Sequence, residues 1–183
     1  FPHPQAIQAV FFDVGFTLVE ASPSIPVIVH GIMERRGSPI TLECLERSFP
    51  QAESLFGELT RAAPDTWGDE VEIARMWQRY FVELLRPCIG AKGDEALAVA
   101  AADIQKEFDQ AIHYALYPDV EPTLAALREQ GLKLGVVSDW GIALVMIMRR
   151  LGLTEYFDFA VISATARRAK PDPARNVLFQ RAS

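Results

Sequence analysis

Apolar residues follow two rhythms along this chain, and the change between them marks its organisation. Residues 6–14 (AIQAVFFDV) form a short, continuous apolar run, the mark of a strand buried on both faces. A Ser/Pro-rich break occupies residues 21–26, and the rhythm then turns helical. Residues 27–36 predict a helix that Gly37 ends from a C-cap position. Thr41 is placed to N-cap a second helix running to about Phe49. A loop with Pro64 and Gly68 leads to a third helix over residues 71–85, where Val71, Ala74, Trp77 or Gln78, Phe81 and Leu85 recur at helical spacing. A fourth covers residues 95–112, with Leu97, Ala101, Ile104, Phe108 and Ile112 on one face. Nothing between residues 21 and 115 alternates as a strand does, so this stretch is expected to be all-helical.

The character changes again at Tyr117-Pro118-Asp119. Residues 121–130 read as a helix ended by Gly131, and residues 132–138 (LKLGVVS) as a buried strand. Residues 142–151 give another helix, ended by Gly152, and residues 157–163 (FDFAVIS) a third strand. One more helix is expected over residues 173–181. Strands alternating with helices imply parallel βα units. The expected fold class is α/β: a Rossmann-like parallel sheet core, residues 1–20 and 117–183, split after its first strand by a helical insert, residues 21–116.

Composition narrows the function classes. The formal charge of −6, with no basic run, argues against nucleic acid and anionic membranes as partners. No apolar run reaches membrane-spanning length, and FPHPQ at the start lacks a signal-peptide pattern. The two cysteines, Cys44 and Cys88, form no CxxC pair. They suggest neither a disulfide framework nor a zinc site and are read as packing residues, with a reducing cytoplasm as the default location. His3, His30 and His113 show no ligand spacing.

Ligands of open parallel sheets bind beyond the carboxyl ends of the strands. Asp13 ends the first strand, Ser138 ends the second, and Lys170 lies in the loop after the third. A carboxylate, a hydroxyl and an ammonium converging on one crevice suit a phosphoryl group. The carboxylate can attack phosphorus, and the other two can hold the phosphoryl oxygens. Two anions meeting there also call for a divalent cation. The bland readings are a solvated strand end for Asp13, an N-cap for Ser138 and a loop lysine for Lys170; three such residues in register at three strand ends outweigh them.

With those residues in view, the chain resembles the haloacid dehalogenase-like (HAD) superfamily hydrolases, in the subgroup with a helical cap inserted after the first strand. The family's Asp-x-Asp-x-Thr motif corresponds to Asp13-Val14-Gly15-Phe16-Thr17, its strand ending in Ser/Thr to residues 134–138, and its Lys followed by Pro-Asp-Pro to Lys170-Pro171-Asp172-Pro173. The resemblance implies that Asp13 is the nucleophile, that Ser138 hydrogen-bonds the transferring group and that Lys170 neutralises charge. It implies Mg2+ held by Asp13 and the backbone carbonyl of Gly15, with Thr17 and Asp139 on the substrate-binding side. The substrate expected is a phosphorylated small molecule, hydrolysed through an aspartyl-phosphate; oligomeric state is left open.

Two departures qualify this. Gly15 stands where the family's phosphatases carry a second aspartate, the general acid and base worth roughly 10²–10⁴ in rate. Good leaving groups are therefore expected to be favoured, and Gly15→Asp is expected to raise turnover of alkyl phosphates. The family's fourth motif, an acidic loop after the next strand, does not occur before Ser183, so the core reads as incomplete at that end. Two alternatives follow: hydrolysis of a carbon–halogen or carbon–phosphorus bond, and a non-catalytic binding or regulatory module. Trp67, Trp77 and Tyr80 are candidates for a substrate pocket wall, with core packing the expected role of Trp77.

Overall fold

A computed structural model describes residues 7–89, 93–110 and 112–170. The helix expected over residues 173–181 and the Pro171-Asp172-Pro173 stretch lie outside the described residues. Three strands, β1 (Ala9–Phe12), β4 (Lys133–Ser138) and β5 (Phe159–Ile162), form a parallel sheet in the order β1-β4-β5. The register pairs Phe12 with Val136 and Ser138 with Ile162. The three strands therefore end side by side, as parallel strands joined by helical crossovers must. Crossover helices α5 (Val120–Glu129) and α6 (Leu144–Arg150) bury Leu124, Leu144 and Ile147 against Val14, Leu134 and Val136.

β1 is less covered than its apolar run suggests. Among the described strands it is an edge, and Phe11 stays half-exposed, with its ring packed against Phe159 at 5.3 Å.

The insert holds α1 (Ile25–Arg35), α2 (Leu42–Ala62), α3 (Glu70–Ile89) and α4 (Asp94–Phe108), around a cluster that includes Met33, Leu45, Tyr80, Phe81, Leu84 and Ile104. Two expectations are corrected here. α2 does not stop near Phe49; it continues through Pro50, because Leu45, Ser48 and Ala52 on either side are buried and packing outweighs the lost backbone donor. The buried stripe of α3 is Ile73, Met76, Tyr80 and Leu84, with Phe81 and Leu85 beside it, while Val71 is exposed. The spacing is the same but the stripe sits further round the helix.

The edges of the insert are not purely helical either. β2 (Val19–Ala21) and β3 (Tyr114–Leu116) pair antiparallel, Val19 with Leu116 and Ala21 with Tyr114. Their three-residue length hides them from any test for alternation. Tyr114 packs against both hydrophobic clusters.

The cysteines correct a further expectation: Cys44 and Cys88 are joined in a disulfide. Cys44 lies in the first turn of α2 and Cys88 in the last turn of α3. The helices are linked at their other end by a 3-10 turn, Pro64–Gly68, so the hairpin is closed at both ends. The reading of a reducing cytoplasm takes the cysteines as unpaired, and the structure pairs them. Among the described residues, no helix is long and apolar enough to cross a membrane.

Candidate active site

β1 ends at Phe12, so Asp13 is the first residue beyond the sheet. The loop after it is tight. Val19 N–H donates to the Val14 carbonyl at 3.0 Å and Phe16 N–H to the Val19 carbonyl at 2.9 Å. These bonds straddle Gly15, and among the described residues none uses its carbonyl.

The neighbouring strand delivers Asp139 in the same way, directly after Ser138. Asp139 accepts the Lys170 backbone N–H on both carboxylate oxygens, at 3.0 and 3.2 Å. That fixes the loop after β5, and the Lys170 side chain turns back so that Nζ donates to Asp13 Oδ1 at 2.8 Å. Ser163, at the end of β5, holds the next residue along: Trp140 N–H donates to Ser163 Oγ at 2.9 Å, and Ser163 Oγ donates to the Trp140 carbonyl at 3.1 Å.

The predicted residues thus part company. Asp13, Gly15, Asp139 and Lys170 all line one cavity of about 470 Å³ between the strand ends and the insert. Asp139 holds Lys170 as well as facing that cavity. Ser138 is buried at the end of β4 and is not among the lining residues. Thr17 is exposed, with its backbone N–H donated to Val14 at 3.2 Å, and it does not line the cavity either.

The opposite wall comes from the insert and is aromatic. Phe56, Trp67, Trp77, Phe81 and Phe108 all line it. Phe56 and Trp77 are stacked at 5.2 Å, and Trp67 meets Trp77 edge-on at 6.5 Å. Tyr80 does not reach the cavity; its hydroxyl donates to Glu53 Oε1 at 2.7 Å, and burial pushes its pKa far up. A second hollow of about 520 Å³, beside Cys88 and Ile40, is lined by none of the strand-end residues.

Four features of the site have no signal in the sequence. Trp140 is the first. A Cβ added at Gly15 falls 2.9 Å from the outer edge of the Trp140 indole, closer than such atoms approach. The indole therefore occupies the space an aspartate at position 15 would enter, and it meets Tyr114 edge-on at 5.6 Å. Gly15→Asp alone does not simply restore an acid; the indole has to move first.

Ser163 and Glu70 are the second and third. Glu70, the first residue of α3, accepts the Ile142 N–H and so ties the insert to the loop after β4. Gly68 reinforces this seam, because a Cβ there would meet the Arg167 and Arg168 backbone at 3.0 Å. Asp109 is the fourth. It lines the cavity just beyond α4, and desolvation, with the Glu70 charge second, raises its pKa above the ordinary aspartate value of 3.8.

The haloacid dehalogenase-like hydrolase family profile matches residues 7–176. The chain belongs to that family. Over 171 residues it is 37% identical to haloacid dehalogenase-like hydrolase domain-containing protein 3 of Danio rerio, covering 92% of this chain and 68% of that protein. It is 32% identical over 169 residues to glyceraldehyde 3-phosphate phosphatase of Methanopyrus kandleri, covering 91% and 66%. In fold it matches the HAD-hydrolase YfnB of Bacillus subtilis, solved bound to magnesium, with a TM-score of 0.67 at 20% identity, over 96% of this chain and 74% of that one. The protein is thus a HAD-like hydrolase of α/β fold, with named phosphatases among its relatives.

Proposed function

We propose that this HAD-like hydrolase cleaves phosphate monoesters through a covalent intermediate on Asp13. The observation that carries this reading is the Lys170 Nζ to Asp13 Oδ1 contact of 2.8 Å at the wall of the shared cavity. A cation there orients the Asp13 carboxylate as a nucleophile and meets the charge of an incoming phosphoryl group. An Asp13 oxygen bonds to phosphorus as the ester P–O bond breaks, and the oxygen of the leaving group takes the electron pair. Water then attacks the acyl phosphate, releasing inorganic phosphate and the free carboxylate. With Gly15 and the Trp140 indole in place of a general acid, the departing oxygen takes its proton from solvent, so leaving groups that depart as stable anions turn over fastest.

The described residues fit Mg2+ sparsely. Asp13 offers a carboxylate oxygen and Gly15 its uncommitted carbonyl, and Mg2+ commonly completes its shell with water and substrate phosphate. Among the described residues no cluster of three His, Cys, Asp or Glu side chains forms a metal cage. Bound there, the ion would offset the charge of the phosphoryl oxygens. Thr17 and Ser138 enter this reading as supports of the loop and the strand end.

Phosphate release from phenyl phosphate, with and without magnesium, tests it. Activity that needs magnesium and vanishes in Asp13→Asn supports the reading; an undiminished rate in Asp13→Asn removes it. A second reading, carbon–halogen hydrolysis, draws on the same missing acid, because a halide leaves without a proton. Chloride release from a chlorinated carboxylic acid separates the two.

A further inference from the structure

The cavity wall beyond the nucleophile carries information about the part of the substrate that leaves. Resting on the phosphatase reading of Asp13, we infer that this site takes phosphate monoesters whose leaving group is flat, apolar and free of any second negative charge. The first half of the argument is area. Phe56, Trp67, Trp77, Phe81, Phe108 and Trp140 present ring faces and edges to one volume of about 470 Å³. Trp77 and Phe56 form a stacked pair, while Trp140 lies against Gly15 next to the nucleophile. A planar group extending from a phosphorus at Asp13 meets rings on several sides, and such contacts add to simple burial.

Charge supplies the second half. Among the described lining residues Lys170 is the only cation, and its Nζ is already directed at Asp13. The carboxylates number four: Asp13, Glu20, Asp109 and Asp139. A carboxylate or second phosphate on the leaving group meets no second cation among the described lining residues and lies among like charges, which makes its desolvation costly. Small phosphorylated acids are disfavoured by this wall.

All three tryptophans of the chain, Trp67, Trp77 and Trp140, line this cavity, so intrinsic fluorescence reports its occupancy independently of turnover. Benzylphosphonate, para-carboxybenzylphosphonate and phosphonoacetate, all inert to hydrolysis, are titrated into the full chain in magnesium buffer. Benzylphosphonate is expected to quench the emission and bind at least about tenfold tighter than either carboxylated probe. Gln105→Lys, which puts a cation in the lining, is expected to narrow that ratio at least about threefold. Equal or tighter binding of para-carboxybenzylphosphonate, or a ratio unmoved by Gln105→Lys, overturns the inference and leaves the phosphatase reading intact. Phosphate release from phenyl phosphate is followed in parallel, and its absence overturns that reading by itself.

Discussion

On the sheet side of the cavity, single atoms face one another at hydrogen-bond distance. Lys170 Nζ meets Asp13, Asp139 meets the Lys170 backbone, and Ser163 holds Trp140. On the insert side, ring meets ring across 5 to 6.5 Å, as in Phe56–Trp77 and Trp67–Trp77. Hydrogen bonds are directional and fail abruptly when one partner goes. Stacked rings give area that degrades by degrees. Changes on the sheet side are therefore expected to act on turnover with little effect on stability, and changes on the insert side on stability and on which substrate is bound.

The largest effect expected is at Asp13. Asp13→Asn should bring phosphate release to background while shifting the unfolding free energy by no more than about 1 kcal/mol, because the Asp13–Lys170 pair is 42% and 35% exposed. Urea unfolding beside the activity assay checks both halves; a stability loss on the scale of a core truncation would show that the pair is structural.

Next comes the disulfide of the insert. Cutting the Cys44–Cys88 bond, which spans 44 residues, is expected to cost about 2–4 kcal/mol, read as a drop in urea midpoint on adding reductant. An unchanged midpoint would mean that the hairpin does not depend on the bond.

Gly15 and Trp140 cross the divide, since one belongs to the loop after β1 and the other is aromatic. Gly15→Asp is expected to cost about 1–3 kcal/mol by crowding the indole. Combined with Trp140→Ala it should cost less than the sum of the single changes, and only the double variant should gain turnover of alkyl phosphates. Additive costs in a double-mutant cycle would show that the indole yields freely.

The smallest effects are two pH dependences of opposite sign. Asp158, before β5, has its pKa lowered by the hydrogen bond from Lys133, with Leu134 N–H second. A lowered folded value means stability that is present above the ordinary 3.8 and lost as pH falls through the folded value, so Asp158→Asn should flatten the acid limb. Asp109 is raised, so its contribution is full below 3.8 and lost as pH rises through the folded value. Asp109→Asn should slightly raise stability at neutral pH, and thermal unfolding across the acid range compares the two. A fall at neutral pH would assign Asp109 a partner that favours its charge.

The strand ends were open to reading because each is a polar residue stopping an apolar run, and a parallel sheet brings such stops together. The insert was open only as helices. Its stripes are periodic, but which way each stripe faces depends on neighbours, as Val71 and Ile73 show. Its cavity wall draws on residues from Phe56 to Phe108 with no common spacing, so no local pattern announces it. Gly15 illustrates the limit. Its missing carboxyl is visible in the sequence, whereas the indole that fills the space arrives from another strand end. Cys44 and Cys88 meet only because α2 and α3 fold back as a hairpin, which their spacing does not encode.

The short ribbon of β2 and β3 gives the insert the form of a cassette. The chain leaves the sheet region and returns to it through facing residues, Ala21 opposite Tyr114 and Val19 opposite Leu116. What lies between them can lengthen, shorten or change its rings without altering the register of β1 on β4. The insert that carries the aromatic wall and the sheet that carries Asp13 are thereby free to evolve at different rates.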